Sequence, residues 1–515
     1  MVPVTADYTT IQADNRHEYG AGIGRWGRDL LANRYDDRTH FIFEILQNAE
    51  DALARRTGWS GSRAVTFRLS ATELRIGHCG MPFNDLDVRG ICGIGESTKE
   101  LTEIGRFGIG FKSVYAYTDR PEVHSGEESF AIESYVLPVE VPTIQRHSDE
   151  TVFILPLRAD DATARDEIAD GLQRLGARVL LFLRHIEEIE WSVEGGASGH
   201  YVRDNSDEIG NGVNQVLLLG KEGEKADDEE SWLLFSRAVT TDDGRCAGHV
   251  QIAYSIMRVL ESLELAIRPV DDSPLVVFFP TVLPTHLGFL VQGPYRTTPS
   301  RDNVPRADPW NQLLVYETAA LLVQSLRWLR DSGLLTVDAF RCLPLDRAHS
   351  RDGNMFAPVY AAVRDALGSE RLLPSARGHI TAAAAKLART QEVRRLFNPD
   401  QLKALFGADI KQSWLSGDIT QDRAPELRQY LMYILGIVEV TPEAIIPKLT
   451  RAFLQSQTNE WTRRFYEFLN GQVALLKQGR LRDVPLVRLE DGTHVTPVGN
   501  GRPQAFLPGP IETDF

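Results

Sequence analysis

The sequence has few cysteines, and no two of them form a CxxC pair. The four are scattered, which argues against a structural zinc site and against a disulfide framework. No apolar run is long enough to cross a bilayer, and the N-terminal residues lack the basic and then apolar pattern of a signal peptide. We therefore expect a soluble, cytoplasmic protein with free thiols and no membrane partner.

Positive charge is also scarce, since 56 Lys and Arg residues face 71 Asp and Glu residues and leave a net charge of −15. Such a balance disfavours non-specific binding of nucleic acid. A local cluster such as Arg296, Arg301 and Arg306 could still contact phosphates. Internal repeats and low-complexity segments are absent from the sequence, which argues against a solenoid and against long-range disorder.

The length of 515 residues is enough for two to four domains. The pattern of apolar residues predicts an α+β protein in which strands and helices mix before about residue 350 and helices dominate afterwards. We predict three domains: an α/β domain over residues 1–160, a second α/β domain over 161–350 and a mainly helical domain over 351–515.

The first long helix is predicted between His40 and Arg56, where apolar residues recur at helical spacing. Glu44, Asn48 and Asp51 stand at i, i+4 and i+7, so they share one edge of that helix. A polar edge of this kind is also typical of an ordinary solvated helix face. The apolar face comprises Ile42, Ile45, Leu46, Ala49 and Leu53.

A glycine-rich segment follows a predicted β-hairpin over residues 65–76. It runs from Gly77 to Lys112 and ends with Gly105, Gly108 and Gly110, which would let the backbone approach a phosphate chain closely. A helix beginning directly after them would point free N–H groups at the anion, and Thr98, Lys99 and Lys112 could add contacts. Turns and tight packing also use such glycines. The pattern is neither a Walker A loop nor a dinucleotide fingerprint.

The order and spacing of these segments resemble the GHKL ATPases, most closely the branch that contains sacsin and the heat-shock protein 90 chaperones. The stretches FEILQNAEDA at 43–52 and IGRFGIGFKSVY at 104–115 carry the resemblance. It implies a Bergerat fold over about residues 15–160, in which a mixed, mainly antiparallel sheet covered by helices binds ATP and Mg²⁺.

The resemblance also implies roles for individual residues. Glu44 matches the general base that polarises the attacking water, and Asn48 matches the amide that holds Mg²⁺. Asp51 matches a polar residue on the ribose and base side, and Thr151 matches the threonine that holds a water at the adenine. The phosphate-cradling lid is implied to have its entrance at Ser97, Thr98 and Lys99. Its hinge is implied at Gly105, Gly108, Gly110 and Phe111.

His78 departs from the family's pattern. The family usually places an aspartate at this strand end, two residues before the glycine that is Gly80 here, to accept a hydrogen bond from the adenine amino group. A neutral histidine can accept that bond if its tautomer suits. Asp85 or Asp87 could take its place.

A fainter resemblance covers residues 279–303, which look like the second domain of the sacsin-like group. In related ATPases a basic residue of that domain reaches the γ-phosphate. Arg301 is the first candidate for this role and Arg296 the second. An ordinary ion pair with a neighbouring aspartate would explain either arginine equally well.

Several functions remain open on the sequence. The leading one is an ATP-driven conformational switch with slow Mg²⁺-dependent hydrolysis, chaperone-like or related to stress or defence, which acts on a protein client or a partner subunit and could form a homodimer. The second is a nucleotide-binding scaffold that does not hydrolyse, a reading prompted by His78. A DNA-processing ATPase related to gyrase or MutL is disfavoured by the acidic charge. A histidine kinase is the least favoured, because nothing before the Glu44 helix reads as a dimerising hairpin.

Overall fold

The computed structural model describes residues 5–20, 37–94, 110–204, 208–210, 212–223, 227–241, 244–258, 265–298, 303–346, 353–407 and 411–505. The chain divides into two compact units, residues 1–322 and 323–515. The boundaries predicted near residues 160 and 350 stay predictions. Across the described ranges, no helix has the length and apolar character needed to span a membrane.

The first unit is a mixed α+β structure. Its helices are α1 (Tyr8–Tyr19), α2 (Phe41–Arg55), α3 (Asp85–Cys92), α4 (Ala164–Gln173) and α5 (Pro309–Asp331), the last of which continues past residue 322. Short 3₁₀ helices occupy Arg38–His40, Gly110–Ala116 and Ala177–Leu180.

Its strands are β1 (Ala64–Leu69), β2 (Glu73–His78), β3 (Glu122–Ser125), β4 (Glu128–Glu133), β5 (Leu137–Glu140), β6 (Thr151–Pro156), β7 (Glu188–Val193), β8 (Ser198–Asp204), β9 (Glu208–Gly210), β10 (Val213–Glu222), β11 (Asp228–Thr240), β12 (Cys246–Arg258), β13 (Leu265–Arg268), β14 (Pro274–Val277), β15 (Phe279–Pro284) and β16 (Leu290–Gln292).

These strands form one large mixed sheet in the described part of the chain, in the order β15-β14-β16-β12-β11-β10-β8-β7-β1-β2-β6-β3-β4-β5. Strand β13 pairs with β12 and β9 pairs with β10. Pairing is antiparallel except between β1 and β7 and between β14 and β16. The charged run over residues 221–230 predicts a solvated surface loop from the sequence. This prediction is wrong at both ends, because Lys221 and Glu222 end β10 and residues 228–230 begin β11.

Helix α2 packs its apolar face onto this sheet. All five residues predicted for that face are buried, in one core cluster with Phe67 of β1 and Ile76 of β2. These two residues lie opposite each other in the predicted hairpin, so their side chains share the buried side of the strands. The sheet and α2 therefore hold the strand ends next to the polar edge of the helix.

The second unit mixes short helices with short strands, so the prediction of a mainly helical region describes it only in part. Trp414 and Trp461 are buried in this unit. Their Nε1–H groups donate to the carbonyls of Phe397 at 2.7 Å and Leu396 at 2.8 Å, respectively. Short 3₁₀ helices occupy Ala339–Cys342, Ala382–Ala384 and Ile446–Lys448. The helices are α6 (Ala357–Ser369), α7 (Gln391–Leu396), α8 (Pro399–Phe406), α9 (Pro425–Tyr433), α10 (Pro442–Ile445), α11 (Arg451–Gln455), α12 (Asn459–Asn470) and α13 (Val473–Lys477). The strands are β17 (Leu373–Ser375), β18 (Gly378–Ile380), β19 (Ala385–Ala388), β20 (Ser413–Trp414), β21 (Glu439–Val440), β22 (Val487–Arg488), β23 (His494–Val495), β24 (Val498–Gly499) and β25 (Arg502–Pro503).

Candidate functional site

Glu44 lies in the first turn of α2 and is only 5% exposed. Its carboxylate touches the turn at Gly110: a Cβ added to that glycine would overlap Glu44 Oε2 and lie 2.9 Å from Glu44 Cδ. His40, one turn earlier, places Nε2 3.4 Å from Glu44 Oε1. The interpretation of Glu44 as part of a solvated face is therefore wrong. A buried carboxylate instead meets the last glycine of the glycine-rich segment.

Asn48 and Asp51 follow Glu44 along the same helix, and both are partly buried. At 1.5 Å per residue, the helix rises about 12 Å between Glu44 and Ala52. This length is enough to separate the two ends of an extended nucleotide. The polar edge of α2 therefore runs from the Gly110 turn at one end to the Ala52 turn at the other.

The second end of that edge is fixed by the turn after β2. A Cβ added to Gly80 would lie 2.5 Å from the Cβ of Ala52, so only glycine fits this approach. The Met81 N–H donates to the Ala52 carbonyl at 2.8 Å, and the Arg56 guanidinium donates to the Cys79 carbonyl at 2.7 Å. These contacts hold the end of strand β2 against the last turns of α2.

His78 ends β2 directly opposite Thr151, the first residue of β6. Its Nδ1 accepts the Gly80 N–H at 3.0 Å. Burial, with a smaller contribution from the charge of Arg55, lowers the pKa of His78 from 6.5 to about 4, so the ring is neutral at physiological pH. Since Nδ1 accepts, the single ring proton is on Nε2. The expectation that His78 could act as an acceptor is not met by this tautomer.

Thr151 is 1% exposed and is tied into a chain of hydroxyl groups. Its Oγ1 lies 2.6 Å from Ser125 Oγ, which in turn accepts the Phe83 N–H at 3.0 Å. Beside this chain, the ring of Phe153 lies 5.9 Å from His78, 6.1 Å from Phe83 and 5.6 Å from Phe111. We call Phe83, Phe111 and Phe153 the aromatic cluster.

Lys112 does not serve as a free cation in this arrangement. It is 1% exposed, and its Nζ donates to the carbonyls of Ile91 at 2.7 Å and Tyr135 at 2.6 Å. Burial lowers its pKa from 10.5 to about 8. The predicted contact of Lys112 with phosphate is therefore not supported, because its ammonium joins the end of α3 to the turn after β4.

The two alternatives to His78 are also engaged elsewhere. Asp85 Oδ2 accepts from Arg89 Nε at 2.9 Å. Asp87 accepts the Asn84 N–H at 3.1 Å in the capping box of α3 and pairs with Arg55 at 2.8 Å. Neither carboxylate is placed to replace the aspartate of the family pattern.

Of the remaining predicted residues, the structure describes some and leaves others outside the described ranges. Arg296 Nη1 forms an ion pair with Asp308 at 3.2 Å. This agrees with the alternative interpretation, in which the arginine pairs with a neighbouring aspartate. Six predicted residues lie outside the described part of the chain, and their placement stays a prediction: Ser97, Thr98, Lys99, Gly105, Gly108 and Arg301.

One residue of α2 was not singled out from the sequence. Glu50 is 5% exposed, and its carboxylate accepts the backbone N–H groups of Arg184, His185 and Ile186 at 2.6–3.2 Å. It therefore anchors α2 to the segment that leads into β7. Its acidic side chain in the middle of the helix was the only available signal, because its partners are more than 130 residues away.

The comparison with protein families matches residues 78–134 to the sacsin domain. This range begins at His78 and includes Gly110, so it covers both ends of the site. The chain is similar to sacsin-like proteins.

Three individual proteins are also similar to this chain. Protein NO VEIN of Arabidopsis thaliana is 29% identical over 348 residues, covering 60% of this chain and 12% of that protein. Chaperone protein HtpG of Sulfurovum sp. is 23% identical over 267 residues, 44% of this chain and 42% of HtpG. Human sacsin is 28% identical over 214 residues, 31% of this chain and 5% of sacsin. The chain thus spans less than half the length of each of these relatives.

His78 predicts a dependence of stability on pH. Above pH 6.5 the ring is neutral in both the folded and the unfolded states. As the pH is lowered from 6.5 to about 4, His78 becomes protonated in the unfolded state but stays neutral in the folded state. The free energy of unfolding therefore decreases as the pH decreases through this range. The expected loss is about 3 kcal/mol over this window. Denaturant unfolding at a series of pH values measures it.

The matched variants are His78→Asn and His17→Asn. Asparagine removes the titrating ring but keeps an oxygen for the Gly80 N–H, so the slope between pH 6.5 and 4 should decrease. His17 is exposed on α1, so its replacement should leave the slope as in the wild type. Equal slopes in all three proteins would rule out a buried, neutral His78.

Proposed function

We propose that this chain binds a Mg²⁺-bound purine nucleoside triphosphate, ATP by its resemblance, along the polar edge of α2 and slowly hydrolyses the γ-phosphate. The observation that carries the proposal is the contact of the Glu44 carboxylate with the backbone at Gly110. A carboxylate beside an open backbone turn is suited to polarising a water for attack on a phosphate held by that turn. The proposed fold is the Bergerat fold.

The donor set also fits the metal. The Asn48 side chain supplies one neutral oxygen a turn beyond Glu44 on the same helix, and Mg²⁺ commonly takes few protein ligands together with waters and phosphate oxygens. Bound there, Mg²⁺ would neutralise phosphate charge. In this proposal Asn48 orients the phosphates, Glu44 orients the water, and Gly110 leaves room for both.

The base end of the site is proposed at His78 and Thr151, beside Asp51 on α2. The aromatic cluster provides an apolar surface with a few convergent polar groups, a combination typical of nucleotide pockets. By the resemblance, the lid is proposed to enter at residues 97–99 and to turn at Gly105, Gly108 and Gly110. Arg301 is proposed as the cation from the following region.

Lid closure on the nucleotide would drive a rearrangement that acts on a protein client or partner subunit. The name of the relative HtpG describes a chaperone.

The second candidate function is a scaffold that binds the nucleotide without hydrolysing it. One observation favours it: His78 offers a donor where the family usually has an acceptor. Turnover measured with and without the Glu44 carboxylate decides between them.

Asn48→Ala should weaken Mg²⁺-dependent binding of the triphosphate by about tenfold, because it removes the only proposed protein ligand of the metal. Calorimetric titration with ATP in Mg²⁺ and again in excess chelator provides the measurement. The wild type should bind more tightly with Mg²⁺, and the variant should lose most of that difference. A variant that retains the full Mg²⁺ effect would remove Asn48 from the metal site.

A further inference from the structure

The hydrogen bond that His78 accepts specifies what kind of group this residue can recognise. The Gly80 N–H occupies Nδ1 at 3.0 Å, and this bond closes the turn that packs Gly80 onto Ala52. Changing the tautomer would place two N–H groups against each other inside a buried turn, at the cost of an unsatisfied donor. The backbone therefore fixes the ring as a donor through Nε2.

We propose that His78 reads the nucleobase as a hydrogen-bond donor, and that this chain therefore prefers a 6-oxo purine, guanine or hypoxanthine, over adenine. The proposal rests on the function proposed above, which puts the base at the end of β2. An aspartate at this position would accept a hydrogen bond from the base, whereas His78 donates one.

The chemistry of the two purine classes differs at this point. Adenine carries an amino group at C6, a donor that an aspartate can accept. Guanine and hypoxanthine carry a carbonyl oxygen there, which accepts from an N–H. A donor opposite the adenine amino group leaves both groups unpaired in a buried site, and sites built to hydrogen-bond one group discriminate strongly against a base that lacks it.

The two carboxylates that follow β2 do not restore an acceptor for adenine. Asp85 is bound to Arg89, and Asp87 is bound to Arg55 and to the Asn84 N–H. The Thr151 hydroxyl can donate or accept, so it does not select between the bases. The aromatic cluster would pack against any purine. Among His78, Thr151, Asp85 and Asp87, His78 is therefore the residue that selects between the bases.

The test is the ratio of dissociation constants for ATP and ITP, measured by calorimetry with Mg²⁺ on the full chain. ITP carries oxygen in place of the C6 amino group of ATP and lacks the 2-amino group of GTP. We expect ITP to bind about tenfold more tightly than ATP, the order expected when a buried donor gains a partner. GTP should follow ITP.

Two variants separate base reading from a structural role. His78→Asn keeps an oxygen at the position of Nδ1 for the Gly80 N–H and offers the base an amide N–H as a donor, so the preference for ITP should remain. His78→Asp supplies an acceptor and should reverse the preference toward ATP. Thermal melting checks that each variant is folded. If a variant does not fold, the ratio of the ATP and ITP dissociation constants of the wild type still tests the inference.

The outcomes distinguish this inference from the proposed function. A wild type that binds ATP as tightly as ITP or more tightly contradicts the inference, while the binding itself supports the proposed function. A preference for ITP that His78→Asp leaves unchanged also contradicts it. Failure of ATP, ITP and GTP to bind would overturn the proposed function and the inference together.

Discussion

Glu44→Gln should lower the rate of nucleoside triphosphate hydrolysis by about 10²–10⁴-fold, the range supplied by a positioned general base. The amide has nearly the same shape as the carboxylate, so it can still lie against the backbone at Gly110. The affinity for the triphosphate should stay within about threefold of the wild type, because no phosphate contact is removed. Phosphate release under saturating nucleotide and calorimetric binding together measure the effect.

The matched control for this substitution is Glu50→Gln, because both residues are buried glutamates of α2. Glu50 anchors the helix through three backbone N–H groups, so its loss should lower the free energy of unfolding by about 1–3 kcal/mol. Turnover by this variant, measured well below its melting temperature, should remain near that of the wild type. Equal losses of turnover in both variants would mean that Glu44 acts through stability. Unchanged turnover in Glu44→Gln would remove it from the chemistry.

Gly110→Ala should reduce turnover by about 10²-fold, because the new methyl group overlaps Glu44 Oε2 and forces the carboxylate or the turn to move. A displacement of about 1 Å is enough to produce a loss of this size when a reacting group must be precisely placed. The same assay of phosphate release measures it, with saturating nucleotide to compensate for any weaker binding.

Gly90→Ala is the control for Gly110→Ala. Gly90 lies in α3, where an added Cβ would meet nothing within 4 Å. Alanine is a better helix former than glycine, so this variant should be up to about 1 kcal/mol more stable and fully active. If both alanine variants turn over like the wild type, the contact between Glu44 and Gly110 has no part in the reaction.

The local parts of the fold could be predicted from the sequence. The apolar spacing of α2 and the alternation in the β1–β2 hairpin are set by neighbouring residues, and the structure confirms both. The pairing of strands that are far apart in the sequence cannot be predicted from neighbouring residues. The parallel pairing of β1 with β7, which joins residues more than 120 positions apart, became visible only in the structure.

The candidate site shows the same limit. The contact of Glu44 with Gly110 joins two residues for which the resemblance implied roles in one site, because a motif specified both residues. Lys112 and His78 were harder to interpret, since their roles depend on partners outside any motif: the carbonyls that bind the lysine ammonium and the N–H that fixes the histidine tautomer. The residue type shows which kinds of group a side chain can bind. It does not show whether the fold pairs that side chain with a ligand or with another part of the protein.

The most direct test of the account is a crystal structure of the chain with Mg²⁺ and a non-hydrolysable triphosphate analogue. We expect the γ-phosphate within one water of the Glu44 carboxylate, the Asn48 side-chain oxygen about 2.0–2.1 Å from Mg²⁺, and the base beside His78 and Thr151. A triphosphate bound away from the polar edge of α2, with the Glu44 carboxylate still closed against Gly110, would contradict it.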